Sequence, residues 1–214
     1  TEDSVAWESN DTFNPAATIY DEKIVVLYRA EDKSGIGIGR RTSRLGYATS
    51  VDGVTFQRRS TPVFYPDNDL QKSLEWPGGC EDPRIAVTVD GLYVMMYTQW
   101  NRDIPRLAVA TSKDLVHWTK YGPAFAKAYD GKFYNMACKS GSILTELIDG
   151  RQVIKKVGGK YFMYWGEEHV FAATSEDLVN WTPIVNIDGS LKRLFSPRDG
   201  YFDSQLTECG RSEE

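Results

Sequence analysis

An all-β fold assembled from one repeated unit is what this sequence predicts, and three observations carry the prediction. A nine-residue segment occurs three times, at residues 48–56, 110–118 and 173–181, with successive starts 62 and 63 residues apart. A fixed period of that size marks a supersecondary unit stacked on copies of itself. Each copy is preceded by a run that opens on a turn residue and alternates apolar and aromatic side chains: residues 23–29, 91–98 and 159–166. No segment sustains a helical period.

The repeated segment places Ala-Thr-Ser before Asp, then two or three turn or apolar residues, then an aromatic. It reads as a strand, a tight turn capped by the carboxylate of Asp52, Asp114 or Asp177, and a second strand opened by the ring. A whole unit is therefore strand, loop, strand, Asp turn, strand. The fourth strand is expected from segments such as residues 82–89 or 152–157. Residues 146–150 end a short run with a turn, and residues 202–208 read as strand-like. Four-stranded units recurring every ~60 residues describe the blades of a β-propeller better than a solenoid. The 214 residues hold roughly three and a half such blades. Closed propellers take about four to eight. The chain is therefore read as one domain, residues 1–214, incomplete at its C-terminus, where residues 211–214 lack strand character.

Composition narrows the function classes. Net charge is −5, with both signs scattered and no basic run, which argues against nucleic acid and anionic membrane as partners. No apolar stretch is long enough for a membrane helix. Six Trp and twelve Tyr suit a β-rich core and equally a sugar-stacking cleft. Cys80, Cys138 and Cys209 are far apart and show no metal-ligand spacing, so three free thiols are expected, without structural zinc or a disulfide framework.

Chemistry is sought where carboxylates and arginines stand at strand ends. Asp82 lies between Gly78-Gly79 and Pro83-Arg84: Pro83 biases it toward extended backbone, the glycines allow close approach, and Arg84 could hold either the carboxylate or a ligand hydroxyl. An Asp–Arg pair stapling a turn fits the local sequence equally well. Glu167 and Glu168 follow an apolar strand, and alternation sends at most one of them inward. Asp203 and Glu208 read from local sequence as surface residues. His117 lies in the repeated turn, and His169 lacks a partner in sequence.

In their order, the clusters Phe13-Asn14-Pro15-Ala16, Tyr28-Arg29-Ala30-Glu31-Asp32, Glu81-Asp82-Pro83-Arg84 and the Ser-x-Asp-x-x-x-aromatic turns resemble glycoside hydrolase family 130, the β-mannoside phosphorylases and β-mannosidases built on a five-bladed propeller. The resemblance extends from Phe13 to Glu208 and implies further blades beyond it. It implies that Asp82 is the general acid, acting through the 3-hydroxyl of the mannose being transferred. Asn14, Arg29 and Asp203 match positions that hold that mannose, with Arg84 beside them, and Asp32 and Lys139 join the substrate contacts. The phosphorylase branch places cationic groups, including a His, at the strand end where this chain has Glu167. Glu167 with Glu208 resembles the glutamate pair that activates water in the hydrolytic, β-1,2-mannosidase-like branch.

The resemblance thus implies an inverting exo-β-mannosidase needing no cofactor or metal and acting on mannose-containing oligosaccharides. Lys139 keeps a phosphorylase releasing mannose 1-phosphate as the runner-up. A non-catalytic sugar-binding propeller, or an inactive fragment, is the alternative from another class. A homo-oligomer stays open. A periplasmic or secreted address is slightly favoured over a cytoplasmic one, from role alone.

Overall fold

A computed structural model of the chain describes residues 6–210. The first antiparallel meander comprises β1 (Asp11–Tyr20), β2 (Lys23–Glu31), β3 (Ser43–Ser50) and β4 (Gln57–Arg58). The second comprises β5 (Gly79–Val87), β6 (Tyr93–Trp100), β7 (Pro105–Ser112) and β8 (Trp118–Pro123). Then follow β9 (Ser142–Ile143), β10 (Thr145–Ile148), β11 (Arg151–Ile154), β12 (Lys156–Val157), β13 (Lys160–Trp165), β14 (Phe171–Ser175) and β15 (Trp181–Pro183). The third meander runs β9-β13-β14-β15, with β12 on the same edge of β13 as β9. The chain is all-β.

The three repeated turns share one geometry. Asp52 Oδ1 accepts from the backbone N–H of Val54 at 2.9 Å and Thr55 at 2.7 Å. Asp114 does the same with Val116 and His117, and Asp177 with Val179 and Asn180, at the same pairs of distances. The preceding Ser hydroxyl caps a third N–H in each copy, at 2.8–2.9 Å. His117 is a turn residue, its Nδ1 2.6 Å from Asp114 Oδ2.

Two strand assignments differ from the sequence reading. Residues 152–157 divide between two sheets: Lys156–Val157 (β12) pair with β13 in the third meander, whereas β10 and β11 form a separate hairpin, because Asp149 (φ 49°) and Gly150 (φ 74°) turn the chain straight back. That hairpin meets β5 in parallel at Val153–Val87, and the short β9 continues the edge of β13 that β12 begins. Residues 202–208 form turns and irregular chain. An alternating pattern becomes a strand only where an edge pairs with it, and no described strand does.

Two cores separate the meanders. Val25, Leu27, Leu45, Ile85 and Met95 pack between the first and second, and Val94, Met96, Leu107, Met163 and Trp165 between the second and third. Strand β6 serves both: Tyr93, Met95 and Tyr97 enter one core, while Val94 and Met96 enter the other. This is why it reads as an unbroken apolar run. Cys80 and Cys138 are buried free thiols, and Cys209 is buried as well. Among the described residues, no helix is long and apolar enough to cross a membrane.

Candidate active site

The inner strands of the first two meanders break register at matching places: β1 between Phe13 and Ala16, and β5 between Glu81 and Arg84. A bulge re-aims the side chain it carries. Here the re-aimed residues are Asn14 and Asp82, with φ of 45° and 51°. The extended backbone expected at Asp82 from Pro83 is thus not adopted, because the bulge turns that residue left-handed. Ser140, just ahead of β9, has φ 58° and is the third member of the series. Register places these three at one end of the meanders and the Asp turns at the other: Phe13 pairs with Arg29, whereas Ser50 pairs with Ile24.

Asp82 is held through one oxygen. Its Oδ1 accepts from Asn14 Nδ2 at 2.8 Å and from Arg29 Nη1 at 2.9 Å. Arg29 is 3% exposed. Its Nη2 lies 2.7 Å from both Glu31 Oε1 and Glu81 Oε1, its Nε donates to Ser43 Oγ at 3.0 Å, and its guanidinium stands 4.5 Å from the centre of the Phe13 ring. Burial opposes the Arg29 charge, but the surrounding carboxylates prevail and raise its pKa. Glu81 is also buried, and burial pushes its pKa to about 7 against the pull of Arg29, with the negative charge of Asp82 adding to the rise.

Two further carboxylates, Glu208 and Glu167, belong to this region. Glu208 accepts from Arg84 Nη2 at 2.7 Å and from the Ser140 hydroxyl. Arg84 also donates to the carbonyls of Cys209 and Gly210. It therefore pairs with Glu208 and the chain around it, leaving Asp82 to Arg29 and Asn14. Glu167 lies 3.9 Å from Lys139 Nζ. Partial burial raises the Glu167 pKa, opposed by Lys139 and reinforced by the negative charges of Glu208 and Asp82. Those mutual influences put Asp82, Glu167 and Glu208 in one electrostatic neighbourhood. Strand alternation does not decide between Glu167 and Glu168, since β13 ends at Trp165. Gly166 (φ 115°) then bonds to the Lys139 carbonyl at 3.0 Å, which carries Glu167 to Lys139.

Asp32 and Asp203 stand apart from this cluster in their bonding. Asp32 accepts from Ser34 N at 3.0 Å, Thr42 N at 3.3 Å and Arg44 Nη1 at 2.8 Å, fastening the loop between β2 and β3. Burial opposes its ionisation, yet these donors hold its pKa below the ordinary value. Asp203 accepts from Arg198 Nε at 2.8 Å. His169 meets Ser196 at 3.0 Å. The sequence reading missed Glu81, Ser43 and Ser140. A legible trace of Ser140 existed, since Asn14-Pro15, Asp82-Pro83 and Ser140-Gly141 each put a polar residue before Pro or Gly at the start of a unit.

A cavity of about 800 Å³ opens along β1, β5 and the β10–β11 hairpin, with Asn14, Asp82, Arg84 and Glu208 in its wall, within the size range of small-ligand sites. Among the described residues, no group of three or more His, Cys, Asp or Glu is arranged to hold a metal ion.

Similarity to known proteins runs through nearly the whole chain. Residues 2–210 match glycoside hydrolase family 130, described as β-1,4-mannooligosaccharide phosphorylase. A 1,2-β-oligomannan phosphorylase from Thermoanaerobacter sp. is 37% identical over 184 residues, 82% of this chain and 53% of the relative. A β-1,2-mannobiose phosphorylase from the same organism is 28% identical over 69% of this chain and 47% of its own length. The chain thus spans about half the length of the curated relatives it matches. A crystal structure of a glycosyl hydrolase from Bacteroides ovatus is 82% identical, with TM-score 0.95 over 97% of this chain and 57% of that one. Another solved structure, 81% identical with TM-score 0.94 over 96% of this chain and 57% of that one, is described by the finding that the GH130 family of mannoside phosphorylases contains glycoside hydrolases that target β-1,2 mannosidic linkages in Candida mannan. The chain belongs to glycoside hydrolase family 130.

Proposed function

We propose that this chain is the larger part of an inverting exo-β-mannosidase on β-1,2-linked mannosides, built on a five-bladed propeller of which it supplies roughly three and a half blades. The observation that carries the reading is that two carboxylates, Glu167 3.9 Å from Lys139 and Glu208 2.7 Å from Arg84, stand beside the cations that a phosphate would need, with the negative charges of Glu208 and Asp82 felt at Glu167. Inverting glycoside cleavage needs an acid at the leaving oxygen and a base on water at the opposite face of the sugar. Asp82 is the acid. With Oδ1 fixed by Asn14 and Arg29, Oδ2 is presented to the mannose 3-hydroxyl, through which the proton reaches the glycosidic oxygen. Glu167 and Glu208 orient and deprotonate the water. Asn14, Arg29, Arg84 and Asp203 orient the mannose, and Asp32 acts on it through the loop that it fastens.

Carboxylates at that face repel a phosphate dianion, and this separates hydrolysis from phosphorolysis. The second reading, a phosphorylase releasing mannose 1-phosphate, draws on Lys139 and Arg84 as anion contacts and on the names of the two Thermoanaerobacter relatives. Incubating the full chain with β-1,2-mannobiose, with and without inorganic phosphate, tests the choice. Free mannose at equal rates in both is expected, and strict phosphate dependence with mannose 1-phosphate as product replaces the hydrolase reading with its rival. A periplasmic or secreted address fits an enzyme of exogenous glycans.

A further inference from the structure

A general acid beside a buried arginine poses a physical problem. The Arg29 guanidinium 2.9 Å from Asp82 favours the carboxylate, whereas the role of Asp82 requires it to carry a proton. The structure contains a counterweight on the residue before it. Glu81 is 3% exposed, lies 2.7 Å from the same guanidinium and faces Ser43 Oγ at 3.2 Å. We propose that Glu81 is a positioning residue whose negative charge offsets Arg29, so that Glu81 and Asp82 keep one proton between them and Asp82 can donate it. This rests on the assignment of Asp82 as the acid.

The geometry supports the proposal from every side that faces Glu81. From β2 come Arg29 and the fully buried Glu31, whose second oxygen meets Arg41 Nη1 at 3.3 Å. From β3 comes Ser43, whose hydroxyl receives the Arg29 Nε–H and lies near both glutamates. From β5 itself comes Asp82, and from the segment ahead of β9 comes the charge of Lys139. One central guanidinium thus serves three carboxylates in a desolvated cluster. Two of them are sequence neighbours sharing its two terminal nitrogens, so their protonation is coupled and belongs to the pair. The elevated pKa of Glu81 is what such a pair shows when one proton stays beyond the ordinary carboxyl range.

The alkaline limb of the pH profile of kcat/KM is the readout, because it reports the acid of the free enzyme. Glu81→Gln keeps shape and the acceptor for Arg29 but removes the charge. Its alkaline limb is expected to move down by about one pH unit or more, a loss of about tenfold per unit above the limb. Glu81→Asp keeps the charge and should return the limb toward wild type, whereas a purely structural role predicts the opposite ranking, with the isosteric Gln the milder change. An unmoved limb in Glu81→Gln overturns the proposal. Asp82→Asn is the control for the underlying reading: inactivity at every pH upholds Asp82 as the acid whatever Glu81 does, and retained activity removes that reading and this inference together. Infrared titration of folded wild-type protein supplies a measurement that needs no Glu81 variant. A protonated carboxylic acid band lasting to near neutrality is expected, and its complete loss by about pH 5 overturns the shared proton.

Discussion

The second meander carries an aspartate at each end, Asp114 and Asp82, and uses the two for opposite purposes. At one end Asp52, Asp114 and Asp177 repeat the same contacts with their own backbone N–H groups. Burial opposes ionisation at Asp114 and Asp177, but these donors prevail, and the pKa of all three is held below the ordinary value, to about 2 at Asp177. At the other end the corresponding positions carry Asn14, Asp82 and Ser140, three different side chains on a shared left-handed backbone. Asn14 bonds to Asp82 and Ser140 to Glu208, in each case a residue distant in sequence. Where the repeat closes a turn, the residue is repeated; where it meets Asp82 and Glu208, only the backbone geometry is. The comparison teaches that a carboxylate satisfied within four residues is architecture, and one satisfied from another strand is a candidate for chemistry.

The sharpest way to break that comparison is to remove one carboxylate from each end. Asp82→Asn should lower kcat/KM by about 100-fold or more, with the circular dichroism spectrum unchanged. Wild-type turnover would return Asp82 to the architectural class. Glu167→Gln should cost activity on a similar scale, and added azide or formate, small nucleophiles that need no base, should restore part of it. Failure of rescue together with near-normal hydrolysis would take the water away from Glu167.

A smaller effect concerns Glu81. Its folded-state pKa of about 7 lies above the ordinary 4.5, so the unfolded chain loses this proton first as pH rises. Stability should therefore fall between pH 4.5 and pH 7, with the penalty complete above that window. Glu81→Gln should flatten the slope of urea midpoint against pH there. Glu75, raised by burial against the pull of Lys120, keeps a residual slope of the same sign. An identical slope in the variant would mean that Glu81 ionises normally in the folded protein.

The smallest expected effect lies at the other end. Asp114→Ala removes the carboxylate that accepts from Val116 N, His117 N and the Ser112 hydroxyl and meets His117 Nδ1, and should lower stability by about 1 kcal/mol without touching turnover, measured by urea unfolding beside a kinetic assay. A tenfold loss of activity would show that the turns reach the cavity.

Much of the fold was readable because its rules are local. The Asp turns, the three long strands after residues 23, 91 and 159, and the turn at Asp149-Gly150 follow from neighbours in sequence. The β10–β11 hairpin misled because an apolar strand states its periodicity and not its partner. In the site, Asp82, Arg29 and Asn14 were named and do meet, as do Glu208 and Arg84. Glu81 was passed over although it adjoins Asp82, since its importance lies in sharing Arg29 across 52 residues of sequence. Asp32 and Asp203 carry the same charge but bond to nearby partners, and nothing in their local sequence distinguishes those bonds from ligand contacts.

Strand β6 has a consequence for how the molecule comes apart. Because its odd and even residues belong to different hydrophobic interiors, a slip by one position would exchange the occupants of both at once. Neither interior can loosen alone, so the three meanders should melt as a single cooperative transition, with amide exchange in β6 limited by global opening alone.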